Sequence, residues 1–196
     1  MAKKKKSVIK NIIFYLIVTW MLFFIIVTKF FPEQSINYTG FKFYTIVTGS
    51  MEPDIMINDV VVDVKVKQED LKVGDAITFY TYLLANNGTY VKKEVTHYLA
   101  AIVVNGDDII YKTHGAGVAD DTYDNWVDEN GDSTDLTYDD IIGRVKFVIP
   151  NIGIIMIVMQ NVLRNPIMIL LVVVNIGIII VVVKVTKKAL SEGKKA

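Results

Sequence analysis

Two uncharged apolar runs bracket a middle section in which polar and apolar residues alternate over short distances. Asn11–Thr28 and Asn165–Val183 contain no Lys, Arg, Asp or Glu, and each comes close to the roughly 20 residues that a helix needs to cross a bilayer. Between them, β-branched and aromatic runs at 41–47, 60–66, 76–82, 90–95, 99–104 and 109–112 are separated by turn signals such as Asn87-Gly88 and Asn105-Gly106-Asp107. This pattern predicts strands joined by hairpins. The fold class expected is mainly β: an antiparallel sheet or barrel-like domain flanked by N- and C-terminal transmembrane helices. Asp120–Asp140 is acidic and rich in Asn, Gly and Ser, which predicts an exposed loop. Residues 147–163 are also uncharged, but Pro150 and Gly153 interrupt them and Arg164-Asn165-Pro166 ends them, so an interfacial or core segment is expected there.

Charge placement gives this pattern a direction. Lys3, Lys4, Lys5, Lys6 and Lys10 precede the first apolar run, and Lys184, Lys187, Lys188, Lys194 and Lys195 follow the second. The positive-inside rule then puts both ends in the cytoplasm and the middle outside, and a third span over 147–163 would separate the two basic ends. The chain divides into a basic tail (1–10), an anchor (11–31), an extracytoplasmic β-rich domain (32–164), a second span (165–183) and a basic tail (184–196). Of the 21 acidic residues, 20 fall between Phe31 and Arg164, so the net charge of zero hides an acidic domain between basic tails. No feature points to nucleic acid.

The first apolar run exceeds the 7–15 residues typical of a cleavable signal peptide, and Lys29-Phe30-Phe31-Pro32-Glu33 offers no small-residue cleavage site, so an uncleaved anchor is expected. With no cysteine, the chain has no disulfide or thiolate metal site, and packing must hold the outer domain. Asp128-Glu129-Asn130-Gly131-Asp132 places its glycine too early for a calcium loop, which leaves a solvated acidic turn.

Candidate chemistry centres on Thr48-Gly49-Ser50-Met51-Glu52-Pro53, which sets one hydroxyl between a flexible glycine and a turn-forming proline about twenty residues past the anchor. A serine nucleophile needs a base, and the chain has two histidines, His97 and His114. Imidazole can accept a serine proton near neutral pH, and a carboxylate that fixes its tautomer completes the arrangement. Carboxylates are abundant beyond His114, and spacing alone does not choose among them.

The order of the motifs narrows the choice. An N-terminal anchor, the Ser50 motif, Val73-Gly74-Asp75-Ala76-Ile77-Thr78-Phe79 and then Val95-Thr96-His97 resemble the type I signal peptidases, specifically their endoplasmic-reticulum-type, or SipW-like, branch. That branch typically reads S-G-S-M-E-P around its nucleophile, then V-G-D, then V-x-H-R where the better-known bacterial branch carries a catalytic lysine. Ile142-Gly143-Arg144-Val145 and Ile149-Pro150-Asn151-Ile152-Gly153 are similar to its closing segments, so the resemblance runs over residues 40 to 155.

The resemblance implies Ser50 as nucleophile, His97 as general base and Asp121 as the orienting acid, with the Thr48 hydroxyl and the Ser50 amide as oxyanion donors. The chain departs from the pattern at Thr113–Asp121, which is one residue shorter and lacks the first acid, with Ala116 in that region. Asp120 is therefore the near alternative to Asp121, and Asp124 is a further one. Tyr98 stands where the branch has Arg. Lys92 and Lys93 keep a Ser-Lys dyad in view, although a lysine base would need burial to lower its pKa.

The implied function is a membrane-bound serine endopeptidase acting on signal-peptide-bearing exported precursors at the outer face of a lipid bilayer. It would have small apolar subsites, no cofactor and no metal. The alternative from another class is a catalytically silent relative serving as an assembly factor or chaperone for surface polymers. An anchored structural β-domain is the third reading. The sequence does not say whether partner subunits are required.

Overall fold

The computed structural model describes residues 2–106, 108–119 and 121–192. It is mainly antiparallel β, with a long apolar helix near each end of the chain. Helix α1 (Ala2–Phe30) contains a 22-residue apolar stretch, Ile9–Phe30, and a short helix, α2 (Ser35–Thr39), follows it. Eight strands come next: β1 (Phe41–Thr45), β2 (Val60–Val64), β3 (Ala76–Leu84), β4 (Tyr90–Asn105), β5 (Asp108–His114), β6 (Trp126–Val127), β7 (Ser133–Thr134) and β8 (Ile141–Ile149).

The strands pair in the order β1-β2-β8-β3-β4-β5, with β6 joining β3 and β7 joining β6. This is an open path. Among the described residues no ladder joins its edge strands β1 and β5, so the hydrogen bonds do not draw the barrel-like closure expected from the sequence.

Two features of this sheet differ from the sequence expectation. The runs at 90–95 and 99–104 are a single strand, β4, which pairs with β3 through Tyr98 and with β5 from Tyr98 onward. The polar stretch between them stays in the strand because Thr96 Oγ1 and Thr78 Oγ1 satisfy each other across the ladder at 2.8 Å, both buried. Strand β8 shows in the sequence only as a pair of motif segments, yet it lies between β2 and β3. Its Gly143 is required by close approach, since a Cβ there would come within 2.7 Å of the Val64 carbonyl oxygen.

Strand alternation sends side chains to two apolar clusters. Ile77, Phe79 and Leu99 join Val66, Leu71, Tyr111 and Leu136 in one, while Ile46, Met51, Ile55 and Val61 form the other. Leu136 and the flanking Trp126 belong to the acidic 120–140 segment, so that segment is not simply an exposed loop. It carries β6, β7 and a 3-10 turn at Tyr138–Asp140. At the N-terminal side, Trp20 and Phe24 of α1 stack on β1, with ring centroids of Phe24 and Phe41 5.7 Å apart and those of Trp20 and Phe41 6.4 Å apart.

The C-terminal unit, residues 152–196, is a separate compact body. Within it, residues read as an interfacial or core segment form α3 (Gly153–Arg164), and α4 spans Pro166–Glu192. Asn165 starts α4 by accepting the Ile167 amide at 3.0 Å on its side-chain oxygen, and Pro166 takes the first helical position, where its missing N–H costs nothing. The 21-residue stretch Pro166–Thr186 is apolar with no buried residue, as suits a helix surrounded by lipid, and its Asn175 amide is satisfied internally by the Leu171 carbonyl at 2.8 Å. Among the described residues, two helices are thus long and apolar enough to cross a membrane.

Candidate functional site

Ser50 lies on the loop between β1 and β2, and it is exposed together with Thr48 and Gly49. The loop is held from below by the next residue, Met51, which is 1% exposed and packs with Ile46, Ile55 and Val61. The base of the loop closes through Ile46 N to Asp59 O and Asn58 N to Ile46 O, both 2.9 Å. Buried Asp59 accepts the Met56 amide on one carboxylate oxygen at 2.9 Å and the Asn151 amide on the other at 3.0 Å. The Pro150-Asn151 motif therefore buttresses the loop that carries Ser50.

A second set of contacts joins this loop to the β4–β5 hairpin. Ala116 donates its amide to the Ser50 carbonyl at 2.9 Å, and a Cβ at Gly115 would stand 2.5 Å from that same oxygen. Only glycine fits such an approach. The Thr113-His114-Gly115 sequence is thus explained by geometry: strand β5 ends, and its glycine lies against the serine. The Tyr98 hydroxyl donates to Asp54 Oδ2 at 2.9 Å, four residues beyond Ser50.

His97 is on β4, paired with Ile77 of β3, and is 7% exposed. Its Nδ1 lies 2.7 Å from Asp124 Oδ2. The same oxygen accepts the Thr113 hydroxyl at 2.7 Å, while the Asp124 amide donates to the Thr113 carbonyl at 2.8 Å. Trp126 Nε1 donates to Thr113 Oγ1 at 2.9 Å, and the Trp126 ring stands 5.5 Å from the imidazole. A carboxylate can only accept, so Nδ1 carries a proton, and in the neutral imidazole the lone pair is then on Nε2. The arrangement gives His97 a fixed tautomer with its free nitrogen basic, as a general base requires.

The carboxylate on His97 is Asp124, not Asp121, the residue that the resemblance implies. Asp121 is exposed on a turn, and Asp120 lies outside the described residues. The three-residue displacement has a simple cause: the pairing of Asp124 N with Thr113 O brings Asp124 alongside the end of β5. Thr113 and Trp126 were not singled out in the sequence as supports. Thr113 stood inside a quoted motif, but Trp126 was hidden in the acidic segment read as a loop.

Among the described residues no hydrogen bond joins Ser50 Oγ to His97. Such contacts are often long before substrate binds. Lys92 and Lys93 are exposed, and the Lys92 ammonium sits 4.3 Å over the Tyr80 ring, so neither occupies the dry setting that a lysine base needs. His114 donates Nδ1–H to the Gly115 carbonyl at 2.7 Å. A groove of about 340 Å³ opens beside Tyr98 and His114, lined also by Val73, Gly74, Leu99 and Ala100.

The Val73-Gly74-Asp75 motif braces β4 immediately after the histidine. Gly74 N bonds Leu99 O and Leu99 N bonds Asp75 O, both at 2.8 Å, while the Asp75 carboxylate accepts Lys72 N at 2.9 Å and Arg144 Nη1 at 3.2 Å. The Gly143-Arg144 motif thus ties to the Gly74-Asp75 motif.

One titratable group stands apart from the His97 network. Asp63 of β2 is fully buried, and neither carboxylate oxygen has a close partner among the described residues. Burial pushes its carboxyl up to about 6. The Thr78 hydroxyl and the Lys42 ammonium pull the other way, although the short bond of Thr78 is to Thr96. The turn at Asp128 is explained locally: Asp128 Oδ1 accepts the Asn130 amide at 2.8 Å and the Asp132 amide at 3.0 Å, which holds its carboxyl below the usual range.

No family model matches the chain, and no curated protein matches it in sequence.

Proposed function

We propose that the chain is a membrane-anchored serine endopeptidase that removes signal peptides from exported precursors, with Ser50 as nucleophile, His97 as general base and Asp124 as the acid that orients it. The observation that carries this reading is the Asp124–His97 hydrogen bond, which puts the lone pair of the neutral imidazole on Nε2, in a domain whose exposed loop presents Ser50. As Ser50 Oγ attacks the scissile carbonyl, its proton passes to His97 Nε2, and the carbonyl oxygen becomes an oxyanion for the Ser50 amide and the Thr48 hydroxyl to stabilise. When the tetrahedral intermediate collapses, the C–N bond breaks and His97 returns the proton to the departing amine. Water, deprotonated by His97, then attacks the acyl-enzyme and releases Ser50.

Several features support this reading. The small residues Gly74 and Ala100 line the groove beside Tyr98 and His114, which suits the small side chains before a signal-peptide cleavage site. An anchored enzyme also meets an anchored substrate without diffusing out of the plane of the bilayer. In the proposed topology both termini are cytoplasmic and the β domain is outside. Register shifts at Val62/Asp63, Thr78/Phe79 and Leu99/Ala101 supply the local bending that a barrel-like wrap of the sheet would need.

The competing reading is a catalytically silent assembly factor, favoured by the lack of a Ser50–His97 hydrogen bond among the described residues. Purified full-length protein mixed with an exported precursor separates the two. Wild type should cleave, and Ser50→Ala should lower turnover by on the order of 10⁶ while still inserting into membranes. Near-normal cleavage by Ser50→Ala would sink the serine mechanism.

A further inference from the structure

We propose that Tyr98 is a positioning residue that sets the Ser50 loop against the base, acting through the hydrogen bond from its phenol to Asp54. This role rests on the serine-peptidase reading above. Tyr98 follows His97 directly on β4, and its backbone is held on both sides, by Ala76 of β3 and His114 of β5. Its ring packs on the cluster of Ile46, Met51, Ile55 and Val61, which forms the underside of the Ser50 loop. Its hydroxyl then reaches out to Asp54 Oδ2 at 2.9 Å, on the same loop. One side chain therefore connects the strand that holds the base to the loop that holds the nucleophile.

Among the described residues, the other hydrogen bond to the loop is Ala116 N to Ser50 O at 2.9 Å, which comes from the turn after β5. The two bonds lie on either side of Met51 and act at different points: one fixes the backbone at Ser50, the other fixes the far limb of the loop at Asp54. Burial, with the Asp54 bond, pushes the Tyr98 phenol above its ordinary value, so it remains a donor across the physiological range. Displacing a reacting group by about 1 Å can cost on the order of 10²-fold in rate. Met51 and the Asp59 bonds fix the base of the loop, so the freedom that loss of either hairpin contact adds falls on its exposed part, where Ser50 lies.

The test uses the full chain in detergent or nanodiscs, with three single variants and one double variant. Tyr98→Phe keeps the ring and removes the donor, whereas Asp54→Ala removes the acceptor from an exposed loop position. Each should lower kcat for precursor cleavage about tenfold with KM within twofold of wild type, and the double variant should be no slower than either single. Asp54→Asn, whose amide oxygen still accepts, should recover most of the rate. Amide hydrogen exchange at Ala116 should quicken in Tyr98→Phe and Asp54→Ala, since a loosened loop releases the Ser50 carbonyl.

Wild-type kcat in Tyr98→Phe, or losses in the two single variants that multiply in the double, would overturn the positioning role. So would a slower enzyme in which Asp54→Asn is as impaired as Asp54→Ala. Cleavage that persists in Ser50→Ala would instead refute the peptidase reading, and the catalytic role of Tyr98 would fall with it.

Discussion

His97 Nδ1 and Asp124 Oδ2 lie 2.7 Å apart although 27 residues separate them in the chain, and Thr113 holds Asp124 at both its backbone and its carboxylate. An amide in place of that carboxylate can leave the geometry intact yet stabilise the wrong imidazole tautomer. Asp124→Asn is therefore expected to lower turnover by up to about 10⁴, as when the orienting carboxylate of a triad is amidated. Asp121→Asn, at an exposed turn position, should cost far less. Steady-state rates of the two purified variants check this, and the reverse ranking would return the role to Asp121.

For the base, His97→Ala should eliminate cleavage, whereas Lys92→Ala and Lys93→Ala should each retain most of it. Both lysines are exposed on β4, outside the dry setting that a lysine base needs. Rates for the three variants against one precursor decide the matter. Full activity in His97→Ala with loss in either lysine variant would establish a Ser-Lys dyad.

Stability should depend on pH through Asp63. Its carboxyl is raised from 3.8 to about 6 in the folded protein, chiefly by burial, so the folded state holds this proton more tightly than the unfolded chain does. The stabilisation is complete below about pH 4, and it is lost as pH rises through 6, by about 3 kcal/mol in total. Lys42, Glu94 and Glu33 also lie in this region, and the Lys42 ammonium is lowered chiefly by burial. Asp63→Asn should flatten the decline of Tm between pH 4.5 and 7.5. An unchanged pH profile in the variant would mean that Asp63 does not carry it.

The basic clusters flanking the two apolar runs predict the proposed topology. Reporter fusions at residue 130 and at the C-terminus should report opposite sides of the membrane. The same side for both would refute the two-span arrangement.

Much of this architecture was legible in the chain because it rests on local patterns. Uncharged runs of span length predict α1 and α4, and β-branched runs separated by turn signals predict β1, β2, β3 and β5 with small errors at their ends, while β4 reads as two strands instead of one. The Ser50 loop was also visible, since glycine and proline around a hydroxyl announce a turn. Each of these signals depends on neighbours within a few residues, so the sequence by itself carries it.

The tertiary structure decided what depends on residues brought together from far along the chain. Strand β8 reads poorly because Gly143, Arg144 and Lys146 interrupt its apolar pattern, yet the glycine is needed for contact with β2 and the arginine for Asp75. The segment after Thr113 looked like a solvated loop because acidic residues dominate it. Only its return to β3, with Trp126 and Leu136 packed inward, selects Asp124 from the carboxylates available. Sequence proposes a serine and a histidine as partners in chemistry; which acid orients the histidine is a matter of where the chain turns back, and spacing does not encode that.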